Sequence, residues 1–169
     1  GMPKPITAAT GMDALTHAVE AYLNRWPHAD TAQHCTAAVR MIFANLQRAY
    51  DDGNDLAARE AMALASFYAG LAFTKAYVGY VHAFSHTIGG RYGVPHGLCN
   101  AIVLPYVLDF LKDAPYAEAR LAELAVAIGA GTESESKAAL AQRFIDRVRE
   151  LNRTVGIPDK IASLKAGDV

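Results

Sequence analysis

The 169 residues fit one domain, and 52% apolar against 20% charged residues is the balance of a chain with a real core rather than a disordered one. Sixteen Lys and Arg against 17 Asp and Glu leave a net charge of −1, without the basic excess that nucleic acid or an anionic membrane surface requires. No apolar run approaches the roughly 18 residues of a membrane span, and the two cysteines, Cys35 and Cys99, allow at most one disulfide.

With no signal-like N-terminus, Cys35 and Cys99 read as reduced thiols of a cytoplasmic protein, buried as small apolar side chains. Gly1 ahead of Met2 reads as the remnant of a removed tag, with Met2 opening the reading frame. Alanine is the informative residue, at 33 positions mixed with Leu, Glu, Arg and Gln. It loses no side-chain entropy in a helix, so the composition points to an all-α fold.

The elements follow Pro, Gly and Asp punctuation. Apolar residues at Ala14, Leu15, Ala18, Val19, Tyr22 and Leu23 predict a helix over Thr7 to Leu23, followed by a loop from Asn24 to Asp30. Asp30 and Gln33 have the spacing of a capping box, opening a helix that should stop at Asp51-Asp52-Gly53. Asp55 can cap the next, which carries Leu64, Phe67, Tyr68, Leu71 and Phe73 at helical spacing. Gly70 and Gly79 mark either close helix approach or a break within that stretch. Gly89-Gly90 with Gly93 and Pro95 predicts a turn, and Gly97 to Leu111 a helix kinked at Pro105. Pro115 opens a helix ending at Gly129-Ala-Gly131. A last amphipathic helix spans about Glu135 to Leu151, with Leu140, Phe144, Ile145 and Val148 on one side. Nothing alternates with period two, so no sheet is expected.

Six histidines, at 17, 28, 34, 82, 86 and 96, carry the chemistry. Asp13 and His17 are four residues apart on one helix and His82 and His86 four apart on another. Each pair therefore projects from one helix face, one turn apart. His96 stands at the mouth of the helix after the Gly-rich turn. An Asp and several imidazoles on facing helices suit a divalent first-row metal, with oxygen and nitrogen donors and no thiolate. A single Asp–His pair is more often a surface or capping interaction than a ligand pair; two such pairs with apolar neighbours strengthen the metal reading. His28 and His34, in or beside a loop, read as non-ligating. H-E-x-x-H, E-x-x-H, G-x-S-x-G and the P-loop are all absent, and Gly129-Ala-Gly131 lacks the strand and third glycine of a dinucleotide fingerprint.

Two phrases resemble the iron-containing (group III) alcohol dehydrogenases. One is Thr10-Gly-Met-Asp-Ala-Leu-Thr-His-Ala-Val-Glu-Ala-Tyr22. The other is Gly79-Tyr-Val-His-Ala-Phe-Ser-His-Thr-Ile-Gly-Gly-Arg-Tyr-Gly-Val-Pro-His-Gly97, running on into Asn100-Ala-Ile-Val-Leu-Pro105. Residue type, spacing and order agree, including the 14-residue step from His82 to His96. The resemblance implies an all-helical C-terminal domain, here residues 2–169, with a metal between its helices. Carried over residue by residue, Asp13, His17, His82 and His96 are the expected ligands, and His86 the histidine facing nicotinamide and substrate. Asp plus three His favours Fe(II), with Zn(II) as the alternative used by the related glycerol-dehydrogenase branch.

The implied reaction is reversible oxidation of a small alcohol to an aldehyde or ketone with NAD or NADP. The family's N-terminal dinucleotide-binding domain and its glycine-rich loop have no counterpart here. The sequence thus leads to the expectation of a whole metal site without a cofactor site, inactive unless that domain is supplied. The alternative is a non-enzymatic helical metal-binding or oligomerisation module derived from the family. In either case an apolar face left uncovered predicts a homo-oligomer.

Overall fold

The computed structural model describes residues 1–24 and 29–164. In chain order their helices are α1 (Lys4–Leu23), α2 (Ala29–Asp51), α3 (Leu56–Ala76), α4 (Tyr80–Tyr92), α5 (His96–Leu111), α6 (Pro115–Ala127) and α7 (Lys137–Thr154). No strand occurs among the described residues, and the fold is all-α as the composition indicates.

Most boundaries have a local cause. Pro5 falls in the first turn of α1, where its missing N–H costs nothing and its fixed φ suits a helix, so α1 starts three residues ahead of Thr7. The Asp55 carboxylate caps α3 by accepting from the Ala58 N–H at 3.0 Å. Ser136 does the same for α7 with the Ala139 N–H. The capping box at Asp30 does not form. Asp30 already lies inside the first turn of α2, and its carboxylate pairs with Lys75 Nζ at 2.9 Å instead. Gly89 and Gly90 are helical rather than part of a turn, because α4 closes only at Gly93, whose φ of 68° is the left-handed cap. His28 lies outside the described residues.

The spine is α1, buried along most of its length from Gly11 to Tyr22 and packed against α2, α3 and α5, with Asp13 and His17 on its one partly open face. A helix buried this widely belongs at the centre of a bundle. On α3 the buried face is made of Ala58, Ala65, Ala69, Ala72 and Ala76, a stripe of small side chains that lets its backbone approach its neighbours closely. Of the five larger residues that the spacing singles out, Tyr68 and Phe73 pack partly buried against the core, whereas three face outward: Leu64 is 42% exposed, Phe67 59% and Leu71 38%. Alanine here is contact surface as well as helix former. Gly11 serves the same closeness, since a Cβ there would fall 2.3 Å from Leu46 Cδ1.

The second half joins through α5. Pro105, inside α5, cannot donate to the carbonyl of Ala101. Asn152 from α7 does so, its amide donating to that oxygen at 2.7 Å. Arg149 on α7 pairs with Asp109 on α5. Behind them α6 and α7 pack together on Leu121, Leu124, Phe144, Ile145 and Val148, all fully buried.

The break between α3 and α4 positions the chemistry. Tyr77 ends α3 at φ 66°, ψ 177°, a region costly for any residue with a Cβ, while its N–H still reaches Phe73 O at 2.7 Å. The chain then turns by 102° into α4. No single helix among the described residues is long and apolar enough to cross a membrane.

Candidate metal centre

Three elements converge on one point. Asp13 and His17 come from α1, one turn apart. His82 comes from the first turn of α4, aimed inward by the sharp bend. His96 is the first residue of α5. One donor atom from each lies within 4.8 Å of every other. The Asp13 carboxylate Oδ1 is the centre of the group, 4.0 Å from His17 Nδ1, 3.6 Å from His82 Nε2 and 3.5 Å from His96 Nε2.

Close helix approach makes this possible. A Cβ at Gly97 would stand 2.5 Å from the carbonyl oxygen of Ala9 and 3.3 Å from Asp13 Cβ. Only glycine lets the first turn of α5 lie flat against α1 and bring His96 to Asp13.

The rings are stacked as well as gathered. His17 lies 4.4 Å from both His82 and Phe73, centroid to centroid, so it is held between them. His82 is buried, while His96 and His86 reach the surface. His86, one turn beyond His82, is not among the four converging donors. Its ring stacks on His96 at 5.1 Å and lies edge-on to His82 at 5.8 Å. Together with Phe73, Thr74, Tyr77 and Val78, the four histidines line an open cleft of about 480 Å³. His34 stays apart, stacked on Tyr68 between α2 and α3, and both cysteines are free and buried.

Two residues here escape the sequence reading. Asn100, fully buried one turn after His96, donates from Nδ2 to Asp13 Oδ1 at 2.6 Å and lies 3.0 Å from Nε2 of both His82 and His96. Its Oδ1 is buried with no hydrogen-bond partner among the described residues. Glu20, two turns beyond Asp13 on α1, accepts from His82 Nδ1 at 2.6 Å through Oε2 and from the Val81 N–H at 2.6 Å through Oε1. Both stand at helical spacing from a candidate ligand, which is the signal that would have found them.

The electrostatics follow from the crowding. Burial pushes Asp13 up, but the hydrogen bond to His82, the field of His17 and the bond from Asn100 outweigh it and hold the carboxyl below its ordinary value. Burial lowers His17, with Asp13 only partly offsetting it. Burial also pulls His82 down, yet the Asp13 and Glu20 carboxylates win and lift it to about 9. A polar cluster this dense is repulsive among its imidazoles unless a proton or cation sits between them. The donor set of one carboxylate oxygen and three imidazole nitrogens fits a first-row divalent metal. A donor nitrogen of Asn100 already sits among those lone pairs, and its amide oxygen is left without a partner, so the residues present fit such an ion.

The profile described as "Fe-containing alcohol dehydrogenase family, C-terminal" matches residues 7–168. The 1,3-propanediol dehydrogenase of Citrobacter freundii is 43% identical over 164 residues, 97% of this chain and 42% of that protein. Alcohol dehydrogenase 4 of Saccharomyces cerevisiae is 41% identical over 164 residues, covering 41% of its length. Among solved structures, an alcohol dehydrogenase from Oenococcus oeni superposes with a TM-score of 0.94 at 40% identity, over 99% of this chain and 44% of that one. The chain therefore spans less than half the length of the relatives it matches.

Proposed function

Because the chain belongs to the Fe-containing alcohol dehydrogenase family, as its C-terminal helical part, we propose that residues 2–169 form the metal-binding catalytic unit of an NAD(P)-linked alcohol dehydrogenase. Asp13, His17, His82 and His96 would hold a divalent ion, Fe(II) in preference and Zn(II) as the alternative. The observation that carries this is the convergence of four donors from three helices within 4.8 Å, with the unsatisfied Asn100 oxygen beside them. A metal held there supplies Lewis acidity, drawing density from an alcohol oxygen so that its proton leaves near neutral pH.

The chain's own residues do the rest. The cleft beside the histidines admits a small alcohol or aldehyde, and Phe73, Tyr77 and Val78 give it an apolar side. His86, exposed and stacked on His96, takes the departing proton outward from its ring nitrogen. The hydride acceptor is a nicotinamide, and its binding residues are assigned to the length of the relatives outside the matched region. Alone, the 169 residues are expected to bind metal and to turn over alcohol poorly or not at all.

The test is bound metal per chain by elemental analysis, after loading with Fe(II) under exclusion of air and again with Zn(II). About one ion per chain, lost in Asp13→Ala and His96→Ala, is the expected result. Substoichiometric metal in both preparations would leave an unmetallated helical remnant as the reading. Self-association belongs to the same proposal, supported by exposed aromatic residues on α4 and α5, among them Phe84 at 54% and Phe110 at 79%. Sizing with light scattering should show more than one chain per particle; a clean monomer at high concentration would remove it.

A further inference from the structure

Glu20 is almost fully buried, at 6% exposure, and no alcohol, nicotinamide or metal needs to touch it. Burying a carboxylate is costly unless every lone pair facing the interior is met. Here each oxygen takes one donor. Oε1 accepts from the Val81 N–H, one of the orphan amides in the first turn of α4, and Oε2 accepts from His82 Nδ1. The space for that carboxylate is kept by Gly79, where a Cβ would stand 2.9 Å from Oε1.

A carboxylate that only accepts requires the hydrogen of His82 to be on Nδ1. The lone pair of the neutral ring is then on Nε2, the nitrogen that faces Asp13 Oδ1. Stacking on His17 fixes the ring plane, and Glu20 fixes which edge points inward. We propose that Glu20 is a positioning residue of the centre: it ties α1 to the start of α4 and presents Nε2 of His82 for coordination. The inference rests on the reading of Asp13, His17, His82 and His96 as ligands, and concerns how one of them is held.

The test uses the 169-residue chain and Zn(II) alone, a diamagnetic ion, in competition with a chromophoric chelator. Glu20→Gln keeps the shape but has one acceptor oxygen for two donors. It should remain helical by circular dichroism and lose 10–100-fold in Zn(II) affinity. Gly79→Ala, which crowds the carboxylate without removing it, should fall in the same direction by a smaller factor. The ring nitrogens of His82 in the zinc-loaded wild-type chain give a separate reading by long-range proton–nitrogen correlation. Nδ1 should carry a slowly exchanging proton while Nε2 is ligated, and the Glu20→Gln chain should lose that slow exchange.

A Glu20→Gln chain that folds and binds Zn(II) within about twofold of wild type would overturn the inference while leaving the metal centre standing. So would a fall in melting temperature with no change in affinity, the mark of a merely structural carboxylate. If Glu20→Gln does not fold, the wild-type spectrum decides alone, and coordination through Nδ1 refutes the proposal. A wild-type chain that takes up no Zn(II) would overturn this inference and the metal reading together.

Discussion

Gly97→Ala is the sharpest perturbation of the helix contact on which the site depends. Its Cβ would meet the Ala9 carbonyl oxygen at 2.5 Å, about 0.9 Å short of ordinary van der Waals contact, and the obstacle is backbone, which cannot rotate away. The first turn of α5 must therefore retreat from α1. Overpacking of this kind costs about 1–3 kcal/mol, and the better helix propensity of alanine returns at most about 1. At about 2–4 °C per kcal/mol for a chain of this size, the melting temperature should fall by at most about 12 °C. The site should suffer more than the fold. His96 and Asn100 ride on the displaced turn, and a metal site tolerates ligand displacements of only about 0.2 Å. Zn(II) affinity, measured by chelator competition on folded protein, should drop at least tenfold. Retained affinity in Gly97→Ala would mean that the α1–α5 approach does not set the ligand geometry, and the account of the centre given above would fail.

Gly70→Ala is the same substitution with the opposite sign, because a Cβ there meets nothing within 4 Å in the middle of α3; the melting temperature should rise by about 2–4 °C. Asn152→Ala leaves the buried Ala101 carbonyl with neither the Pro105 nitrogen nor a side-chain donor, and should cost about 1–3 kcal/mol by urea unfolding. Acid should unfold the protein partly through Asp55. The Ala58 N–H, with Arg48, holds its folded pKa below the ordinary value, so its contribution is present above the unfolded pKa and lost as pH falls through the folded one. Asp55→Asn should flatten the stability–pH curve below about pH 4, and an unchanged slope would count against that cap. Burial pushes the Cys35 thiol up to about 12, so a thiol reagent at neutral pH should leave it unmodified until the chain unfolds.

What the sequence discloses depends on how local the cause is. Helix existence was legible almost everywhere, because propensity and 3.6-residue spacing act within a turn or two. The cap at Asp55 and the start of α6 at Pro115 were legible for the same reason. Asp30 misled because capping chemistry depends on where the helix begins, and α2 begins one residue earlier. The face of α3 misled in a more instructive way. Apolar size predicts burial only when the neighbour leaves room, and along the buried face of α3 it is alanine that fits, while Leu64, Phe67 and Leu71 face outward and Phe73 finds room only at the rim, against His17. The converging side chains were visible as pairs on single helices and, beyond that, only through family resemblance. Spacing cannot say that three helices meet.

Glu20 and Asn100 show why the surroundings of the site were less visible than the site. Both look like ordinary helix residues, and both matter through partners 62 and 18 positions away on α4. Their roles require the bend at Tyr77 and the close packing at Gly97, each a property of tertiary contact. The same dependence runs in reverse. Asp13, His17 and Glu20 occupy one helix that packs against α2, α3 and α5, so its backbone cannot shift without moving against all three together. His82 and His96 stand instead in the first turns of α4 and α5, where the Glu20 carboxylate and the close approach at Gly97 set their positions. Perturbations at Glu20, Gly79 and Gly97 should therefore weaken metal binding in a chain that still folds, whereas large substitutions along the core face of α1 should abolish both at once.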